Sequence, residues 1–298
     1  MNGRILTKGL LGFGFFAAAT LFWACSEDPF PIEARVTEID RVAEDVKMFH
    51  LLIEHPGDFS FQAGQYLDLL LPDEFVERWN REYGTEHGKV VRSYSLASSP
   101  LSLPRIRLLV RRVDAPPETD YPPGIASTFL HNEVELGTVL TFSGSYGEMI
   151  GCDEEAGDIL LIARGVGIAP MIGLLDELLA GGLQASQKVR LFFGARDREN
   201  LYFHEEFRHR SDLYDRFDYY PALSDPDQGD DWDGFVGYVT PLLESEIPDA
   251  SDDVAFVAGP GPMVTAVAET LLDKGISLDN IRTDNRAAIA GLLGEKER

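Results

Sequence analysis

The sequence predicts two units in series: an antiparallel β-barrel over residues 31–150, then an α/β open parallel sheet over 156–290. An N-terminal apolar helix within residues 1–28 precedes them. Three observations carry this reading. Between residues 34 and 143, short runs with strand character recur with little helix between them. From residue 159 onward, apolar runs end in glycine loops and pass into helices. At the N-terminus, residues 9–23 are apolar throughout and follow Arg4 and Lys8.

A length of 298 residues suits two domains, and a 44% hydrophobic fraction suits two packed cores. Asp and Glu total 50 against 26 Lys and Arg, a net charge of −24, so the basic footprint that nucleic acid requires is missing and no nucleic-acid partner is expected. The two cysteines, Cys25 and Cys152, are too few for a four-cysteine iron–sulfur cluster or a cysteine-rich zinc site, and no metal is expected.

In the first segment, counting from Ile5 to Ala24 reaches the ~20 residues of a spanning helix. Three readings compete: an uncleaved membrane anchor, a cleaved signal peptide, and a lipoprotein signal in which Cys25 is lipidated. The anchor is preferred, since Trp23 fits a lipidation signal poorly.

The barrel strands are expected at 34–42, 46–54, 65–71, 90–96, 105–113 and 138–143, with turns such as Pro56-Gly57 and Pro72-Asp73 between them. Residues 73–88 are charged, carry Trp79 and Tyr83, and read as a surface helix or a lid. The fourth strand holds Arg92-Ser93-Tyr94-Ser95. Alternation puts Arg92 and Tyr94 on one face ~7 Å apart, a cation beside an aromatic plane. That pair can grip a ligand with phosphate at one end and a flat ring at the other. A second phosphate seat is read at Gly124 and Ser127, where glycine opens backbone access to a short helix over 127–132.

In the second unit, the apolar run 159–163 breaks into Arg164-Gly165-Val166-Gly167-Ile168-Ala169-Pro170. Met171, Leu174, Leu175, Leu178 and Leu179 then mark one helix face, and Gly181-Gly182 closes it. Strand, glycine loop and helix together hold a dinucleotide diphosphate. Further buried strands are expected at 189–194, 217–223 and 254–257, the last running into Gly259-Pro260-Gly261-Pro262 and a helix bearing Met263, Val267 and Leu271. His204 and His209 are five apart, which does not bring two ligands onto one helix face, and the acidic run 225–233 reads as a solvated loop.

With these residues in hand, the chain resembles the ferredoxin–NADP reductase superfamily from about residue 33 to 285. Within it, the N-terminal apolar segment, the insertion before Arg92, Leu223-Ser224-Asp225-Pro226 and Trp232-Asp233-Gly234 resemble the NADH-oxidising flavin subunits of sodium-translocating NADH:quinone reductases. The resemblance implies FAD on the barrel, with Arg92 on its diphosphate, Tyr94 against its ring, Ser95 near its N5, and Gly124 and Ser127 at a second phosphate turn. It implies NADH on the second unit, held by Gly165, Gly167, Pro170, Arg196, Gly259, Pro260 and Met263. NADPH stays open, because Arg196 and Arg198 are able to meet a 2′-phosphate. Catalytic roles fall to Ser95, Tyr94 and, for protons, Glu148 or a water.

Departures accompany the likeness. Those flavin subunits carry an iron–sulfur domain that this sequence is expected to lack. Ala258 replaces a customary cysteine, Thr283-Asp284-Asn285-Arg286 replaces a closing acidic–aromatic segment, and Arg164 stands where glycine is common, either meeting a phosphate or simply solvated. The expected activity is FAD-dependent NAD(P)H oxidation that feeds an acceptor protein or a quinone. Two alternatives stand beside it: a diaphorase that reduces quinone, iron or free flavin directly, and a non-catalytic membrane-tethered flavin- or nucleotide-binding module. Arg4 and Lys8 favour a domain outside the membrane, where the periplasmic face or a lipoprotein would place it. The supply of NADH favours the cytoplasmic face, which is the expectation adopted.

Overall fold

The computed structural model describes residues 32–57, 59–151, 156–227, 229 and 231–295. The readings of residues 1–28 as an anchor, of Cys25 as a lipidation site, and of Cys152 lie outside the described residues.

Six strands form the first sheet: β1 (Ile32–Ala43), β2 (Val46–Ile53), β3 (Tyr66–Leu70), β4 (Val91–Ser95), β5 (Arg105–Arg111) and β6 (Val139–Tyr146). They pair antiparallel in the order β4-β3-β6-β1-β2-β5, and a bridge from Leu96 to Leu108 joins the two ends into the expected barrel. Period-two alternation drives the closure. Phe49, Leu51, Leu67, Leu69, Leu96 and Phe142 are fully buried in one cluster inside it. Helix α1 (Asp73–Tyr83) buries Phe75, Val76 and Trp79 and ends on Gly84 at φ 64°. Its Phe75 ring lies 5.0 Å from that of Phe129 in α2 (Ile125–Asn132). The insertion is therefore a docked helix and not a lid, because its amphipathic face is spent on the barrel.

The second sheet contains β7 (Ile159–Arg164), β8 (Val189–Ala195), β9 (Phe217–Leu223), β10 (Phe235–Val236), β11 (Val254–Ala258) and β12 (Ile281–Thr283). All pair parallel, in the order β10-β9-β8-β7-β11-β12. The helices are α3 (Ile168–Glu177), α4 (His204–Leu213), α5 (Val239–Glu246), α6 (Gly261–Asp273) and α7 (Arg286–Glu295). Both faces of β7 are covered. Ile159, Leu161 and Ala163 join one core cluster, and Leu160 and Ile162 join the other. The sequence pattern does not announce β10 and β12, since strands of two and three residues carry too little periodicity to read.

The chain steps outward from β7 to β10, then returns to β11 and β12 on the other side. The order therefore reverses between β7 and β11, and a crevice opens at the carboxyl ends of those two strands. The barrel packs over this end. Val46, Met48, Ala63, Ala97, Leu109 and Met149 join the α3-side core cluster, so apolar packing runs continuously across both units. Gly173 of α3 sits so close to the barrel that a Cβ there would lie 2.6 Å from the Ser98 carbonyl oxygen. Beside it, Asp176 accepts from Arg107 of β5 at 2.8 Å and from Arg210 of α4 at 2.6 Å. Among the described residues, only the helix over Gly165–Gly182 is long and apolar enough to cross a membrane, and half of it is buried in the protein, as befits a core helix.

Candidate functional site

A cleft of about 730 Å³ lies where the two units meet. Its barrel wall comes from β4, from β5 and from the turn into α2. Its opposite wall comes from the carboxyl ends of β7, β8, β11 and β12. A cavity of this size suits extended small molecules.

On the barrel wall, β4 pairs with β3 so that Arg92 faces Leu69 and Tyr94 faces Leu67. Arg92, Ser93, Tyr94 and Ser95 all line the cleft. Arg92 donates from Nη1 to the Val91 carbonyl at 2.7 Å, and Ser93 Oγ donates to Asp68 at 2.6 Å. Tyr94 packs against the barrel core, and burial pushes its phenol up to about 12 against the opposing pull of Arg92. The phenol is therefore neutral at physiological pH, a flat face with one hydroxyl donor.

The turn into α2 is built on Gly124. A Cβ there would sit 2.8 Å from Ser127 Oγ and 2.9 Å from Val113 Cβ, so only glycine lets the loop close. Ser127 Oγ donates to the Gly124 carbonyl at 3.0 Å and accepts from the Val113 N–H at 3.1 Å. Its hydroxyl proton is thus committed to the turn. What the turn offers a phosphate is the backbone N–H groups of Ile125, Ala126 and Ser127, which have no partner within the helix. All three residues line the cleft.

On the opposite wall, Gly165 adopts φ 58°, and a Cβ on Gly167 would stand 2.4 Å from the Ala258 carbonyl oxygen. Glycine therefore draws the β7–α3 loop against the end of β11. Gly165, Gly167, Pro170, Arg196, Gly259 and Pro260 line the cleft with the barrel residues. Arg196 is already met by Asp225, with Nε and Nη2 both 3.3 Å from Oδ2, and the two backbones join through the Asp225 N–H at 2.7 Å.

Three residues lie elsewhere. Met263 packs beneath the loop, with its Sδ 2.8 Å from where a Gly259 Cβ would be. The Ala258 side chain is buried in the α3-side core. Glu148 is exposed, pairs with Arg286, and does not line the cleft, so it is not placed to pass a proton to a ligand there.

Sequence reading misses Arg111, Asn200 and Asp284, which also line the cleft. Burial opposes the Arg111 charge, but a bond to Asp45 at 2.6 Å more than offsets it. Asn200 is fixed by Asp197 at 2.7 Å and accepts from the Tyr202 hydroxyl at 3.1 Å; burial pushes that phenol up to about 12. Asp284 follows the unpredicted β12. It is exposed to the cleft by surface area, yet enough protein crowds it to raise its carboxyl above the usual range. The strand-end position of Asp284 is a usable signal; the partners of Arg111 and Asn200 are not.

The oxidoreductase FAD-binding domain family matches residues 33–150, and the oxidoreductase NAD-binding domain family matches residues 161–269. The F subunit of the Na(+)-translocating NADH-quinone reductase of Serratia proteamaculans is 31% identical over 276 residues, covering 85% of this chain and 67% of that protein. The reductase component of phenol 2-monooxygenase from a Pseudomonas species is 29% identical over 264 residues, covering 88% and 67%. The chain thus spans about two thirds of the length of these relatives. Among solved structures, the cytochrome b5 reductase domain of Ulva prolifera nitrate reductase superposes with a TM-score of 0.68 at 18% identity, covering 84% of this chain and 96% of that one. A ferredoxin NADP+ reductase from Neisseria gonorrhoeae gives 0.65 at 18%, covering 85% and 97%. At these identities the two structures establish the fold.

Proposed function

Because the chain belongs to the ferredoxin-reductase family of FAD- and NAD-binding oxidoreductases, we propose that it takes electrons from NADH through FAD and delivers them to an acceptor protein or a quinone. The observation that carries this is the shared cleft. The strand over residues 92–95 and the Gly124 turn face the two glycine loops of the parallel sheet across one cavity.

The barrel wall fits FAD. Arg92 and the N–H groups at the start of α2 would hold its diphosphate, and neutral Tyr94 would lie against its ring system, with Ser95 at the ring's edge. The opposite wall would hold NADH, with the diphosphate at the Gly165–Gly167 loop and the nicotinamide end passing Gly259, which has no side chain, and Pro260. Bound flavin accepts two electrons from NADH and can release them singly, which lets it serve one-electron acceptors. The protein's own contribution is alignment. The continuous core, Gly173 against Ser98, and the ion pairs of Asp176 hold the two walls at a set separation. NADH is favoured over NADPH because Asp225 already neutralises Arg196 and would repel a 2′-phosphate.

One observation favours the diaphorase reading of the same site. Tyr94 is the only aromatic residue lining the cleft among the described residues, so nothing aromatic covers the side of the ring facing away from it. A small acceptor would then reach the flavin directly. Attachment to a membrane through residues 1–28, with the flavin unit on the cytoplasmic side, completes the proposal. It is supported by the apolar run and by the supply of NADH.

The direct test is anaerobic titration of the purified protein with NADH. A yellow protein whose flavin bleaches supports the proposal. A yellow protein that NADH leaves unchanged reduces the chain to a binding module, and a colourless one that FAD cannot reconstitute removes the flavin reading. Protease digestion of the flavin unit in intact spheroplasts would overturn the cytoplasmic placement.

A further inference from the structure

The cleft holds four arginines, and they are not equivalent. Arg111 is matched to Asp45 at 2.6 Å, and Arg196 to Asp225 at 3.3 Å. Arg92 and Arg164 make no ion pair with a carboxylate among the described residues, and Arg92 bonds only to the carbonyl of Val91.

The place of Arg164 is as informative as its charge. It ends β7, the strand beside which the sheet order reverses. Leu160 and Ile162, at alternate positions before it, are fully buried in the core; Arg164 is half-buried and emerges from that row onto the cleft. Across the reversal stands Gly259. A Cβ on Gly259 would lie 3.5 Å from the Arg164 Cβ, so the two residues are direct neighbours across the reversal. Asp284 lines the same end of the cleft, but no ion pair joins it to Arg164.

We infer that Arg164 binds the diphosphate bridge of the nicotinamide dinucleotide, as Arg92 binds that of FAD. The inference rests on the NADH reading above and names a contact within it. Two dinucleotides meeting in one cleft bring two diphosphates, and the cleft has two arginines not neutralised by carboxylates. A guanidinium presents a planar fork of donors that matches two phosphate oxygens at once, which the single-point N–H groups of Gly165–Gly167 do not. It also answers an electrostatic problem, since a protein of net charge −24 repels an anionic substrate and a local cation offsets that repulsion where the anion must sit.

The test uses the flavin-loaded full-length protein as wild type, R164G and R164K. Binding is measured calorimetrically at low and moderate salt for ADP-ribose, which has the diphosphate without nicotinamide, for AMP, which lacks the diphosphate bridge, and for oxidised nicotinamide mononucleotide, which cannot reduce the flavin. Flavin content and melting temperature are recorded for each variant. R164G is expected to bind ADP-ribose about tenfold or more weakly, with AMP changed less than about twofold. R164K should recover part of the loss, and the salt dependence of ADP-ribose binding should flatten in R164G. An R164G protein that retains flavin and binds ADP-ribose within twofold of wild type overturns the inference. So does an equal loss for AMP, which would mark a general disturbance, or a loss confined to the mononucleotide, which would assign Arg164 to the nicotinamide end. A wild-type protein that holds FAD but binds neither NADH nor ADP-ribose defeats the NADH reading itself, and the inference with it.

Discussion

At the residue scale, the cleft works by leaving some groups unpaired and committing others. Arg92 keeps its charge available and Tyr94 keeps its proton, so truncating either removes a contact that water replaces poorly. Arg92→Ala or Tyr94→Ala should weaken FAD retention by about tenfold to a hundredfold while the parallel sheet stays folded, as read by flavin content after gel filtration. Asp225 does the opposite work by occupying Arg196. Asp225→Ser should free that guanidinium and shift the ratio of kcat/KM for NADPH over NADH upward by at least several-fold; an unchanged ratio would place the 2′-hydroxyl elsewhere. Asp284 has its carboxyl raised by the surrounding protein. A raised acid makes the fold take up a proton, so stability falls as pH climbs from the unfolded carboxylate value through the folded one, and the deficit persists above. Asp284→Asn should therefore raise Tm at pH 7, with the advantage shrinking as pH falls through that window and lost below it.

At the element scale, the strand–glycine–helix turns are positioned by close backbone approach. Gly167 has no room for a Cβ, since the atom it would meet is the Ala258 carbonyl oxygen at 2.4 Å, which is backbone and cannot swing aside. Gly167→Ala should cost about 1–3 kcal/mol and raise the KM for NADH more than it reduces flavin content, measured by thermal unfolding and steady-state kinetics. The ten principal strands and the helices after β7 and β11 were legible because burial stamps periods of two and 3.6 on the residues that must be hidden. The charged insertion before β4 was ambiguous for the same reason. One apolar face says that a helix docks, and only the contact of Phe75 with Phe129 shows where.

At the scale of the whole molecule, the two units behave as one body because one apolar cluster draws residues from both and Asp176 ties α3 to both β5 and α4. The overall charge then acts on whatever approaches the cleft. Reduction of ferricyanide, an anion, should speed up as ionic strength rises from about 10 to 200 mM, and reduction of a cationic acceptor such as cytochrome c should slow down. Equal salt responses would mean that local charge at the acceptor site, not the net charge of −24, governs the encounter.

Much of this protein was readable without its structure. The order of barrel and sheet, the glycine loops, and the strand over residues 92–95 are local patterns, because a buried strand, a tight turn and a phosphate-binding helix start each write their requirement into a few adjacent residues. What folding alone decided is which charges cancel. That Glu148 turns to Arg286, that Arg196 is taken by Asp225 and that Arg164 forms no such pair are long-range outcomes. Partners drawn from distant elements are chosen by distance in space, which the spacing of residues along the chain does not encode outside the i,i+3 and i,i+4 neighbours of a helix.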